Sequence, residues 1–116
     1  MSESGELYTT VNYIKHKVDA LEKIELLNLR SNKELRNEYI TLFTGDSVLF
    51  DVYKAIDGIK AQKEIAPIVG KTEMTVSNKI KILLEYGLIE IKEVGVNGKK
   101  IYKHSIAEQA FKLTRL

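Results

Sequence analysis

The segment Glu64–Glu90, EIAPIVGKTEMTVSNKIKILLEYGLIE, constrains this chain more than any other. Ile65, Ala66 and Val69 recur at helical spacing and stop at Gly70-Lys71. From Thr72 the period resumes as Val76, Ile80, Leu83 and Leu84, and it stops again at Gly87. Glycine between two such repeats permits a sharp left-handed turn, and Thr72 is a good N-cap. The expectation is a short helix over residues 62–69, a turn at Gly70-Lys71 and a longer helix from Thr72 to Tyr86. Pro67 lacks an amide donor and suits only a first turn, so the short helix should start late, near Lys63 or Glu64, or kink.

A hairpin signal comes next along the chain. Leu88–Val94 and Lys99–Ser105 flank GVNG, and Asn97-Gly98 favours a tight turn. Before Glu64, three further helices are expected. Thr10 to Leu29 carries Val11, Ile14, Val18 and Leu21 at three- and four-residue steps, with Ile24 and Leu27 extending the stripe and Leu26 as a further candidate. Ser31-Asn32-Lys33-Glu34 has capping-box spacing and opens a helix carrying Leu35, Tyr39, Leu42 and Phe43 inward. Gly45 ends it, Asp46 or Ser47 caps the next, and Val48, Leu49, Val52, Tyr53 and Ile56 face inward there, with Gly58 closing it. Ser105-Ile106-Ala107-Glu108 is a second capping box, opening a short last helix with Ala110, Phe111 and Leu113 inward. The fold class read from this order is mainly α with a small β-hairpin.

At 116 residues the chain is long enough for one domain with a real core. It has no cysteine, which removes disulfides, thiolate nucleophiles and thiolate ligands, and fits a reducing cytoplasm. No apolar run reaches the roughly 18 residues of a membrane span, and MSESGELYTT has neither the basic start nor the apolar run of a signal peptide. The net charge of +2 hides an asymmetry. Residues 1–57 carry 7 Lys/Arg against 10 Asp/Glu, and residues 58–116 carry 11 against 6. A basic half points to a polyanionic partner, with a solvated lysine-rich surface as the plain alternative.

Helix, helix, turn, helix and hairpin in this order read as a helix-turn-helix followed by a wing. At about 100° per residue, the direction opposite the apolar stripe of the second helix holds Met74, Asn78, Lys81 and Glu85, flanked by Thr75 and Ile82. Such a face suits a DNA major groove. Asn78 matches adenine, Thr75 can bond a base or touch a thymine methyl, and Lys81 can reach guanine or phosphate. Ser77 and Lys79 lie on the flanks, where phosphate contact fits better.

These segments resemble winged-helix transcription regulators of the ArsR and MarR type. The resemblance rests on Glu64-Ile65-Ala66, Val69-Gly70, Thr72, Thr75-Val76-Ser77, Ile80, Leu83, Gly87-Leu88-Ile89 and Tyr102, and covers Ser47 to Ser105. It implies a homodimeric, cytoplasmic regulator that binds double-stranded DNA. The DNA-binding residues would be Lys71, Thr72, Met74, Thr75, Ser77, Asn78, Lys79 and Lys81 around the recognition helix, with wing residues Asn97, Gly98, Lys99 and Lys100. Residues 46–105 would form the DNA-binding domain, 1–45 a helical extension and 106–116 a C-terminal helix. A first helix outside the core suggests dimerisation through Val11, Ile14, Val18 and Leu21, with intradomain packing as the alternative. In the family an apolar residue precedes the helix cap; here Lys71 does, so the hydrophobic staple to Val76 is missing. An unpaired lysine there opposes the helix dipole by roughly 0.3–1 kcal/mol, and a bound phosphate reverses that sign.

Plainer readings stand beside each of these. The hairpin lysines can simply solubilise an edge, and Lys60 and Lys63 read as ordinary surface charge. His104 is expected half-buried and hydrogen-bonded, and His16 stands alone far from it. No metal-ligand spacing, phosphate loop or nucleophile elbow occurs, so neither an enzyme nor a cofactor is expected. No effector ligand can be read. A winged-helix protein–protein module, or a plasmid or viral replication or partition protein, would carry much the same sequence pattern.

Overall fold

The structure is a computed structural model that describes residues 19–116. Val11, Ile14, Val18 and His16 lie outside the described residues. The chain is helical over 19–31 (α1), Lys33–Gly45 (α2), Ser47–Ala55 (α3), Gln62–Val69 (α4) and Glu73–Glu85 (α5). Strands Ile89–Val94 (β1) and Lys100–His104 (β2) form an antiparallel pair, followed by Ile106–Phe111 (α6) and a 3-10 turn at Leu113–Arg115. The fold is mainly helical, with one small two-stranded hairpin among the described residues.

One core unites α2 to α6. Leu49, Tyr53, Ile65, Val76, Leu83, Leu88 and Leu113 have essentially no exposure, and Tyr39, Phe43, Val52, Ile56, Ile80, Tyr102 and Phe111 close around them. These are the inward positions expected on α3, α4 and α5, except that Val48, Val69 and Leu84 are only half-buried. Aromatic rings run through its centre. Phe43 packs on Tyr53 at 4.9 Å between centroids, and Tyr53 lies 4.4 Å from the His104 ring. The His104 Nε2–H donates to the Tyr53 carbonyl at 2.7 Å, so this histidine is half-buried and bonded, as expected.

Three local expectations are corrected. The helix expected to end at Leu29 runs to Ser31, and Asn32, not Ser31, caps α2 through a bond from the Leu35 amide. The Ser31 hydroxyl instead donates back to the Asn28 carbonyl. Second, α4 starts at Gln62 and runs through Pro67. The bond Pro67 cannot make belongs to the Lys63 carbonyl, and both residues face outward, where water can satisfy that oxygen. The start is fixed because Ala61 is extended, bridging to Ile101, while Glu64 accepts from the Ala61 amide. Third, Ser105 caps α6, but Glu108 does not reach back to complete a capping box. Its carboxylate accepts from the Tyr53 hydroxyl at 2.7 Å and from the Thr114 amide and hydroxyl, which pins the C-terminal turn to α3. The tight turn expected at Asn97-Gly98 is present, the Gly98 amide closing on the Gly95 carbonyl at 3.0 Å. Gly95 and Lys99 close a three-residue loop in which Gly98 alone has positive φ, at 73°.

The turns on Gly70 and Gly87 are where the sequence places them, with φ of 68° and 70°, whereas α3 already ends at Ala55 on an extended Ile56, and Gly58, with φ of 81°, lies in the loop beyond it instead of closing the helix. Asp46 caps α3 by accepting from the Leu49 amide at 3.0 Å. The hairpin register slips by one residue at Lys92, a bulge between Ile91 and Glu93. The freed Lys92 side chain reaches the Gly58 carbonyl at 2.9 Å and ties the hairpin to the loop after α3.

Candidate nucleic-acid interface

The α4–turn–α5 unit is built from its caps. Gly70 adopts the left-handed conformation, and the Gly70 and Lys71 amides both close on the Ala66 carbonyl. Thr72 then starts α5, accepting from the Thr75 amide at 3.2 Å. Val76, Ile80 and Leu83 turn into the core. The opposite side therefore has to face out, and it does: Met74, Asn78, Lys81 and Glu85 all lie on it, Met74 at 76% exposure.

Two side chains on the first turn of α4 bring this helix and the hairpin together. Gln62 Nε2 donates to the Glu73 carbonyl, at the start of α5, at 3.2 Å. Glu64 pairs with Lys99, at the base of the hairpin loop, at 3.0 Å. That hydrogen bond, followed by the one from the Ala61 amide, holds the Glu64 carboxyl below its ordinary pKa. Thus the start of α5 and the hairpin loop flank one and the same turn of α4. Sequence reasoning missed Gln62 and Glu64 in this role, because neither partner is signalled by local spacing.

The lysines expected at the interface divide into two classes. Lys71, Lys81 and Lys100 are exposed and make no ion pair among the described residues. Lys79 is different. Its ammonium lies 2.7 Å from Asp46, both side chains are largely covered, and the pair ties the N-terminus of α3 to α5. Burial pushes the Asp46 carboxyl upward, but the bonds from Lys79 and the Leu49 amide outweigh it and leave the pKa lowered. Lys99 is exposed yet shared with Glu64. The hydroxyls divide similarly: Thr72 Oγ1 is the cap and also bonds Thr75 Oγ1 at 3.1 Å, while Ser77 is half-buried on the flank. Asn97 is exposed at the loop tip.

On α1, Leu21, Ile24 and Leu27 are 55–62% exposed, whereas Leu29 packs against the core. The apolar row that the sequence continues through Leu21 is thus not consumed by intradomain packing within the described residues. Between α1 and the root of the hairpin lies an open groove of about 1010 Å³, lined by Asp19, Glu22, Glu25, Lys103, His104 and Gln109 among others. No group of three or more His, Asp or Glu residues placed to hold a metal ion occurs among the described residues, and no described helix is long and apolar enough to cross a membrane. No family model, curated protein or solved structure matches the chain.

Proposed function

We propose that the protein is a winged helix-turn-helix regulator of transcription that binds double-stranded DNA as a homodimer in the cytoplasm, by recognition and without catalysis. In this reading α5 is the recognition helix in the major groove, and the loop around Asn97–Lys100 is the wing, on the backbone or in the minor groove. The observation that carries it is the convergence at α4: one helical turn holds the start of an outward-facing polar helix and the base of a lysine-bearing loop. The Ala61–Ile101 bridge, which sets a third chain segment beside the hairpin, fits the same architecture.

Electrostatics assigns the parts. Lys71, Lys81 and Lys100, in no ion pair among the described residues, would neutralise phosphates, the sequence-independent share of affinity. Lys71 has no apolar partner in front of α5, and a phosphate beside it turns an unfavourable dipole contact into a favourable one. Asn78 supplies base readout. The exposed Leu21, Ile24 and Leu27 on α1 support pairing with a second copy, which would set two recognition helices on successive half-sites.

A rival reading has its own support. Val94 and Val96 on the hairpin and Ile68 on α4 are strongly exposed, which would suit a protein–protein module. Anisotropy titration with random-sequence duplex separates the two. The regulator predicts affinity that falls linearly with the logarithm of salt concentration, and a palindromic motif from a random duplex pool. Absence of duplex binding at moderate salt favours the protein module.

A further inference from the structure

We propose that Met74 is a specificity-determining residue that reads a thymine methyl, within two base pairs of an adenine read by Asn78. The inference rests on the reading that α5 enters the major groove, and its starting point is which side chains on α5 are already committed. Thr72 is occupied as the cap, and its hydroxyl also holds Thr75 Oγ1. Lys79 is held by Asp46 on the covered flank, and Ser77 is half-buried. The Glu73 side chain points well away from the outward row, by about 100° at helical spacing. Over the first two turns of the helix, the part that meets base edges, this leaves Met74 and Asn78 on the outward row.

These two differ in what they can recognise. Asn78 offers a donor and an acceptor side by side, the pattern that matches adenine N6 and N7. The Met74 side chain is apolar, flexible and 76% exposed, with no packing role to explain it. Of the major-groove edges, only thymine presents an apolar group, its C5 methyl. Set against guanine O6 and N7 or cytosine N4, a methionine would strip water from a polar edge and return no hydrogen bond, so it disfavours those pairs as well as favouring thymine. Met74 and Asn78 are four residues apart, about 6 Å along the helix. Base pairs rise about 3.4 Å, so the two contacts fall one or two steps apart. The half-site is therefore A·T-containing at its centre of contact.

The test uses the full chain and the duplex selected from a random pool. Deoxyuridine, which lacks only the C5 methyl, replaces each thymidine of the half-site in turn, and affinity is measured for the wild type, Met74→Ala and Asn78→Ala. At one position, deoxyuridine should weaken wild-type binding by about three- to five-fold, the worth of one buried methyl-sized group. Met74→Ala should lose a similar factor on the thymidine duplex and show no further loss on the deoxyuridine duplex. Asn78→Ala should keep the deoxyuridine effect and relax base preference at a neighbouring position. Because Met74 is outside the core, circular dichroism of Met74→Ala should match the wild type. A deoxyuridine effect that persists in Met74→Ala, or none at any position on a duplex that binds specifically, overturns the role of Met74 while leaving the regulator intact. A pool that yields no preferred sequence overturns both.

Discussion

Lys79 and Lys81 are two residues apart on α5 and meet opposite fates. The first lies on the flank facing α3, its ammonium 2.7 Å from Asp46. The second stands on the outer row with no ion pair among the described residues. The same division runs through the whole molecule. Around the C-terminal turn, the Tyr53 hydroxyl, the Glu108 carboxylate and Thr114 are fully engaged with one another. On the outer face of α5, Asn78 and Met74 have no such engagement among the described residues. Residue type does not separate these two groups, since each contains polar side chains on amphipathic helices. What separates them is whether a partner arrives from elsewhere in the chain. A surface with unspent donors, next to a body where donors are spent, is where binding is expected.

The largest expected effect breaks the engaged end of this comparison. Glu108→Ala removes the acceptor for the Tyr53 hydroxyl and for Thr114, and burial followed by Glu108 already raises the Tyr53 pKa. An orphaned buried donor costs about 1–3 kcal/mol, which lowers the melting temperature by roughly 4–8 °C per kcal/mol for a domain of this size. Thermal unfolding followed by circular dichroism reads it directly, and a loss below about 2 °C would show that the network holds little. Next in size is Asp46→Ala. It removes a helix cap worth about 0.5–2 kcal/mol and frees Lys79, whereas Lys81→Ala should stay within about 0.5 kcal/mol of the wild type.

Asp46 also sharpens the comparison through pH. Its folded pKa is lowered, so its ionised form stabilises the fold above the ordinary carboxylate value near 3.9, and that contribution disappears as pH falls through the lower folded value. Urea unfolding at about pH 7 should find Asp46→Asn less stable than the wild type, and the gap should close as the pH drops below about 4 and on past the folded value. A gap that persists in acid means the carboxylate charge is not what stabilises α3.

Where the determinants are local, they were legible in the sequence. Gly70 and Gly87 sit at left-handed turns because only glycine takes those angles freely, and Val76, Ile80 and Leu83 are buried because their spacing leaves them no other side. Local competition blurred the rest. Ser31 and Asn32 are adjacent capping residues, and the helix stops at the one whose side-chain oxygen meets the Leu35 amide. Glu108 has the spacing of a capping box, yet a tyrosine 55 residues away outcompetes the local amide. Pro67 is accepted inside α4 because its face is wet. At the candidate site, the exposed row of α5 was legible from period alone, while the pairing of Lys79 with Asp46 and of Lys99 with Glu64 was not. Both pairs join residues more than thirty positions apart.

The smallest expected effect lies in the hairpin, where Lys99 and Lys100 repeat the contrast between Lys79 and Lys81 with both members exposed. Lys100 has no ion pair among the described residues, so under the proposed duplex-binding role Lys100→Ala should remove one phosphate contact and flatten the salt dependence of that binding by about 0.9 in log–log slope. Lys99 is already shared with Glu64, so the slope change for Lys99→Ala should be smaller. Glu64→Gln should then raise the contribution of Lys99, because it removes the carboxylate that competes with phosphate for the same ammonium. Duplex titration of the three variants across a salt series measures all of this on one plot. Equal slopes for Lys99→Ala and Lys100→Ala would mean that an exposed pair exchanges its carboxylate for phosphate at no cost, as surface ion pairs worth about 0–1 kcal/mol can. The line between engaged and unspent lysines would then hold only for the covered pair, Lys79 with Asp46.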